Sequence, residues 1–210
     1  MQHTFLAIEG NIGAGKTSLC QLLAAQFDAR LLLEQFADNP FLADFYQDPP
    51  RHAFTVELFF MAERYKQLQD TLLAKALFHE TTIADYFFLK TLLFAQRNLE
   101  GEEYRLFQRL FKILNGNFRK PDLLVYLHRP VAEVLRNIRK RARPFEQDIT
   151  ADYLQNIQSA YFDYFKTEVS FPILIIDLNE ADFLNNQTVY NQILTHINQK
   201  YTAGVHRIQL

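Results

Sequence analysis

Gly10-Asn11-Ile12-Gly13-Ala14-Gly15-Lys16-Thr17 satisfies the pattern G-x-x-x-x-G-K-[ST], and its flanks decide the fold. Ahead of it, Thr4 to Ile8 is a short apolar run of strand type; behind it, Lys16 to Phe27 carries an amphipathic helical pattern. A glycine-rich turn in that context lets successive backbone N–H groups turn inward around phosphate oxygens. The helix N-terminus adds the positive end of its dipole, and Lys16 brings a full, mobile charge. Thr17 offers a hydroxyl to Mg²⁺. The stretch therefore predicts a nucleoside triphosphate site, and the absence of a guanine-reading N-K-x-D elsewhere argues against a GTPase switch.

Outward from this loop, short Leu/Ile/Val-rich runs alternate with helix-length segments. Strands are expected at Thr4 to Ile8, Leu31 to Leu33, Thr81 to Ala84, Leu123 to Leu127 and Ile173 to Ile176, apolar enough to be covered on both faces. Helices are expected at Lys16 to Phe27, Arg51 to Leu77, Asp85 to Leu99, Glu102 to Leu114, Val131 to Arg141, Thr150 to Glu168 and Val189 to Lys200. Right-handed crossovers would assemble these into a three-layer α/β fold, a five-stranded parallel sheet flanked by helices. Length and the lack of any linker-like stretch predict one domain over residues 1–210.

Composition narrows the function classes. With 22 Lys+Arg against 24 Asp+Glu, the net charge of -2 argues against a general binder of nucleic-acid polymers or membrane surfaces, so any polyanion must meet a local cationic cluster. The single cysteine, Cys20, excludes a disulfide scaffold and a multi-thiolate zinc site. Met1-Gln2-His3-Thr4 lacks a basic start leading into an apolar stretch, and no run is long enough to span a bilayer; a cytoplasmic protein is the expectation.

The cationic cluster exists. R-N-I-R-K-R-A-R at 136–143 puts five cations in eight residues on a helix after the fourth strand. Such a run is commonly a solvated helix face, but beside a triphosphate site arginines suit the oxygens of a transferring phosphoryl group. Arg136, Arg139 and Arg143 share helical spacing, while Arg141 points elsewhere unless the helix ends early. Phe54, Glu57, Met61 and Arg64 also share one helix face. A carboxylate there needs a partner, and an ion pair between Glu57 and Arg64 is one reading.

In order and spacing, several segments together make the chain resemble the deoxyribonucleoside kinase family of P-loop enzymes over most of its length. They are E-G-N-I-G-A-G-K-T at 9–17, Glu34 after the second strand, Asn39-Pro40-Phe41-Leu42 and Tyr46-Gln47-Asp48-Pro49. They continue with H-A-F-T-V-E-L-F-F-M-A-E-R at 52–64, Asp85-Tyr86 after the third strand, I-R-K-R-A-R-P-F-E at 138–146, and Tyr153-Leu154. The resemblance implies transfer of the γ-phosphoryl group of Mg-ATP to the 5′-hydroxyl of a deoxynucleoside, in nucleotide salvage, by a homodimer with an arginine-rich lid at about 136–148.

By that resemblance, Glu34 is the catalytic carboxylate, aided by Lys16, Arg141 and Arg143. ATP is held by Gly10, Asn11, Ile12, Gly13, Ala14, Gly15, Lys16, Thr17 and Ser18, with Arg139 nearby. Tyr46 and Glu146 hold the sugar 3′-hydroxyl, Arg64 lies by the substrate, Phe94 stacks on the base, and Thr17 and Asp85 hold Mg²⁺. Two positions depart from the family. Glu57 stands where the family has a base-reading Gln; an ionised Glu only accepts hydrogen bonds, which suits the adjacent N1–H and N2–H donors of guanine and predicts a purine preference led by deoxyguanosine. The family's Arg after the acid is missing, since Asp85 is followed by Tyr86 and Phe87; Lys90 is a candidate replacement. A nucleoside monophosphate kinase and a nucleotide-binding sensor without chemistry are the competing readings. Glu34 would repel an acceptor phosphate, which disfavours the first.

Overall fold

The computed structural model describes residues 2–34, 39–73, 81–116, 118–168 and 170–210. Strands are β1 Phe5–Gly10, β2 Arg30–Leu32, β3 Thr82–Ala84, β4 Leu123–His128, β5 Pro172–Asp177 and β6 Gly204–Gln209. Helices are α1 Lys16–Phe27, α2 Leu42–Gln47, α3 Pro49–Leu73, α4 Leu89–Asn98, α5 Gly101–Asn115, α6 Val131–Arg141, α7 Ala151–Thr167 and α8 Gln187–Ile197, with a 3₁₀ turn at Pro144–Glu146. The sheet order is β2-β3-β1-β4-β5-β6, and every pairing is parallel.

Strand residues alternate between two cores. Phe5, Ala7, Leu124, Tyr126, Ile173 and Ile175 face α2, α3, α4, α5 and α7, whereas Leu6, Ile8, Val125, Leu127, Leu174 and Ile176 face α1, α6 and α8. This is the three-layer arrangement expected, with differences that have local causes. The sheet has a sixth strand: β6 alternates half-buried with exposed residues, as an edge strand does, so it lacks the continuous apolar run that marks the interior strands. At the opposite edge, β2 is not covered on both faces, and Leu31 is exposed.

Helix α4 begins at Leu89 rather than Asp85. The Asp85 carboxylate accepts from Thr17 Oγ1 at 2.7 Å and from the Glu34 N–H at 2.7 Å, and the Phe87 N–H donates to Glu9 Oε1 at 2.7 Å. Side chains of β1 and α1 thus claim the segment before a helix can start. Tyr46 sits in the short helix α2, which is not among the expected helices. Residues 74–77, the expected end of the long third helix, lie outside the described residues.

Candidate active site

The phosphate loop joins β1 to α1. Gly13 and Gly15 take left-handed φ values of 82° and 99°, and a Cβ at Gly13 would meet the Val134 carbonyl oxygen at 2.8 Å. Lid helix and loop are this close because Asn137 Nδ2 donates to the Gly13 carbonyl at 2.9 Å. Lys16 Nζ donates to the carbonyls of Gly10 at 3.0 Å and Asn11 at 2.8 Å, curling over its own loop. Burial and the Lys90 ammonium pull the Lys16 ammonium down to about 8. Asn11 is structural: its side chain donates to the Leu154 carbonyl at 2.8 Å and accepts from the Ile12 N–H at 2.9 Å.

Beside the loop, a cleft opens at the carboxyl ends of β1, β2 and β3. Its lining collects Ile12, Gly13, Lys16, Thr17, Glu34, Tyr46, Glu57, Arg64, Asp85, Phe94, Arg141, Arg143 and Glu146 from segments far apart in the chain. At its inner end Glu34 is clasped by two buried cations. Arg64 donates through Nε at 2.8 Å and approaches through Nη2 at 2.6 Å, and Lys90 pairs with the other carboxylate oxygen. Burial acts to raise the Glu34 carboxyl, but Lys90 and Arg64 outweigh it and hold it at about 2. Arg64 Nη1 also donates to Thr91 Oγ1 at 3.0 Å. The partner of Arg64 is therefore Glu34, and the expected Glu57–Arg64 pair is not formed.

Glu57 lies instead against α4. Asn98 Nδ2 donates to Glu57 Oε1 at 2.6 Å, while Oε2 is buried with no hydrogen-bond partner among the described residues. Burial pushes the Glu57 carboxyl up to about 7, against the opposing pull of Arg64. Lys90, Phe94 and Asn98 recur every four residues on α4 and form one stripe about 12 Å long. Its ends touch Glu34 and Glu57 respectively.

The lid closes the other wall. α6 ends at Arg141 because Ala142 is left-handed, φ 51°, and the chain turns through Pro144–Glu146. At this helix end Arg141 enters the cleft, where Nε and Nη2 donate to the Glu146 carboxylate at 2.6 Å each. Arg143 reaches the cleft from beyond the helix rather than along its face. Arg136 pairs with Glu133 on the exposed side, and Arg139 is exposed and lines neither cleft.

A second cleft lies on the outer side of the loop, lined by Gly13, Ala14, Gly15, Ser18, Lys140 and residues of the β5–α8 segment. Arg129 staples it together, donating to the carbonyls of Ala14 at 3.3 Å, Asn179 at 2.9 Å and Ala181 at 2.7 Å. Sequence reasoning assigned no role to Arg129, Asn137, Asn98 or Tyr153. The four-residue spacing of Lys90, Phe94 and Asn98 was the available signal for Asn98; the Arg129 contacts are to carbonyls and leave no pattern.

Thr17 and Asp85 supply hard oxygen donors beside Lys16. Among the described residues no group of three or more His, Cys, Asp or Glu could cage a metal alone. A hydroxyl, a carboxylate and room for phosphates match the way Mg²⁺ is bound, with few protein ligands and several waters or phosphate oxygens.

Sheet order, loop position and the cleft between the loop and a lid define a P-loop phosphotransferase. The chain belongs to the deoxynucleoside kinase family, whose profile matches residues 6–202, and it is accordingly an ATP-dependent kinase of deoxynucleosides. It is 34% identical over 202 residues to a deoxyguanosine kinase of Bacillus subtilis (strain 168), covering 93% of this chain and 96% of that one. It is 29% identical over 194 residues to a deoxyadenosine kinase of Dictyostelium discoideum, covering 92% and 79%. The solved structure of a deoxyadenosine kinase from M. mycoides with bound dATP has the same fold, with a TM-score of 0.79 at 21% identity over 94% of this chain and 100% of that one. Among the described residues no helix is long and apolar enough to cross a membrane.

Proposed function

We propose that the chain phosphorylates the 5′-hydroxyl of purine deoxynucleosides, deoxyguanosine ahead of deoxyadenosine, in a cytoplasmic salvage role. The observation that carries this is Glu57, a buried carboxylate with an unpartnered oxygen on the lining of the cleft. A carboxylate takes two adjacent N–H donors, and guanine offers them on one edge. The relatives named above, a deoxyguanosine and a deoxyadenosine kinase, agree with a purine substrate without choosing between the two.

In this reading the 5′-hydroxyl docks against Glu34. A carboxyl held at about 2 is a weak base, but phosphoryl transfer is loose and the hydroxyl becomes acidic only as the new P–O bond forms. Glu34 then orients the O–H and receives its proton late, while Arg64 and Lys90 keep the carboxylate ionised and aimed. Lys90 takes the place of the family's missing arginine, which removes the motive for reading the chain as an inactive sensor. Lys16, Arg141 and Arg143 stabilise the charge on the transferring group. ATP lies with its phosphates in the loop from Gly10 to Ser18 and its base in the second cleft. Thr17 and Asp85 would hold Mg²⁺, which would supply neutralisation of the triphosphate's charge. Tyr46 and Glu146 hold the 3′-hydroxyl, and Phe94 lies along the base. One domain with its lid at about 136–148 carries the activity, and exposed Leu58 on α3 with Leu106 and Ile113 on α5 support a homodimer through those helices.

A 5′-phosphorylation panel of the four deoxynucleosides with Mg-ATP tests the substrate. Deoxyguanosine is expected first; thymidine turned over as well as or better than deoxyguanosine overturns the reading.

A further inference from the structure

Resting on the purine reading, we propose that Glu57 selects between purines by its protonation state, ionised for guanine and protonated for adenine, with Asn98 as the positioning residue that sets the balance. The geometry is specific. Asn98 Nδ2 engages Oε1 at 2.6 Å and also lies 3.4 Å from Tyr153 Oη, so one edge of the carboxyl is anchored and the other, Oε2, is buried without a partner among the described residues. Glu57 itself is only 2% exposed. A buried carboxylate oxygen without a donor is costly, and a ligand donor or a proton relieves it.

The two forms present different hydrogen-bond patterns. Ionised, the group accepts twice and matches the N1–H and N2–H of guanine. Protonated, it offers one O–H donor beside one acceptor, the pattern of the amide the family uses here, and matches the N1 acceptor and N6–H donor of adenine. The choice lies near neutral pH because burial brings the carboxyl up to about 7.

The charged and titratable groups around Glu57 come from every neighbouring element. They are Arg64 on α3, Glu34 after β2, Lys90 on α4, Tyr153 on α7 and Tyr46 on α2, with Arg141 and Glu146 on the lid wall. Burial raises both tyrosines above their ordinary range. Arg64 and Lys90 are bound to Glu34, and Arg141 to Glu146. Of the two cleft carboxyls without an ion pair among the described residues, Asp85 accepts a hydrogen bond at each oxygen, from Thr17 and from the Glu34 N–H, whereas Glu57 keeps one oxygen unpartnered and is raised to about 7.

The test is a competition. Deoxyguanosine and deoxyadenosine are mixed with Mg-ATP, and the ratio of the two monophosphates is read from about pH 6 to about pH 8.5, a span chosen to bracket the value of about 7. Product ratios under competition give the ratio of kcat/KM, so ionisations of the free enzyme that affect both substrates equally cancel. The guanine-to-adenine ratio is expected to climb about tenfold or more across that span, because each pH step trades one form for the other. Asn98→Ala removes a donor that favours the ionised form and is expected to move the rise to higher pH, a displacement that a merely structural Asn98 would not produce. Glu57→Gln is expected to abolish the slope and favour deoxyadenosine throughout. A wild-type ratio constant within about twofold, or a slope that persists in Glu57→Gln, overturns the proposal. Including thymidine and deoxycytidine separates the two readings: a flat ratio with purines still preferred defeats the protonation switch alone, whereas preferred pyrimidines defeat the purine reading and the switch with it.

Discussion

On the side of the sheet facing α1, α6 and α8, the buried residues are aliphatic apart from Phe183, Tyr190 and Cys20, whereas the side facing α3, α4 and α7 buries Phe45, Tyr86, Phe87, Phe88, Phe94, Phe107 and further rings. The aliphatic side supports the phosphate loop, a turn built on left-handed glycines with Lys16 folded over it. The aromatic side encloses a cleft in which Glu57, Arg64 and Lys90 are buried and Glu34 is half-buried among rings. A phosphate is recognised by backbone geometry, which a local sequence can encode. The side chains that line the aromatic-side cleft are brought from several elements, and the charged ones among them pair with one another.

Mutations that strike the two sides should fail in different ways, and the largest effect belongs to the centre of the buried network. Glu34→Gln is expected to lower kcat by about a thousandfold. It should also lower unfolding stability by about 3 kcal/mol, since it leaves Arg64 and Lys90 buried without their anion. Steady-state kinetics and urea titration read the two losses; intact stability with lost activity would mean that the network is not structural.

Lys90→Ala should cost about a hundredfold in kcat. Without that cation the Glu34 carboxyl rises from about 2 towards its ordinary value, so the acid limb of the pH–kcat profile moves up. Lys90→Arg should restore part of both. An unchanged turnover in Lys90→Ala would end its assignment as the replacement for the missing arginine.

On the other side, Gly13→Ala forces a Cβ against the Val134 carbonyl at a φ of 82°. About 1–3 kcal/mol of stability should be lost, together with a raised KM for ATP and an unchanged KM for the nucleoside. Equal increases in both constants would mean that the two sides are not separable.

The smallest effect is read in the pH dependence of stability. The Glu57 carboxyl is raised from 4.5 to about 7, so the folded chain holds a proton that the unfolded chain has released. Wild-type stability therefore declines as pH rises from about 4.5 through about 7. Glu57→Gln should be the more stable protein at pH above that range, by about 1–3 kcal/mol, with the advantage vanishing below it. Thermal melts at the two pH extremes check the sign.

How much of this was legible in the chain follows the same division. Helices α1 and α6 run over the spans their periodicity predicts, and the interior strands appear where apolar runs do. The sixth strand escaped because an edge strand alternates instead of running apolar. Glu57 and Arg64 share a helix face and invited pairing, but Glu34 and Lys90 arrive from β2 and α4 and redirect Arg64. Helical spacing set Arg141 apart from Arg136, Arg139 and Arg143, yet it lines the cleft because α6 stops at Arg141, with a left-handed Ala142 turning the chain. Asn98 carried no signal beyond its spacing from Lys90 and Phe94.

The sequence by itself determined the phosphate loop, the parallel α/β class, the cationic lid segment and the family, because each depends on neighbours within a few residues or on motif order along the chain. Only the tertiary structure decided which carboxylate each buried cation serves, and so that Glu34 is held ionised while Glu57, at the other end of the α4 stripe, is raised towards neutrality. The physical reason is that a buried charge takes its state from whatever lies within a few ångströms, and in this cleft those neighbours come from elements separated by tens of residues.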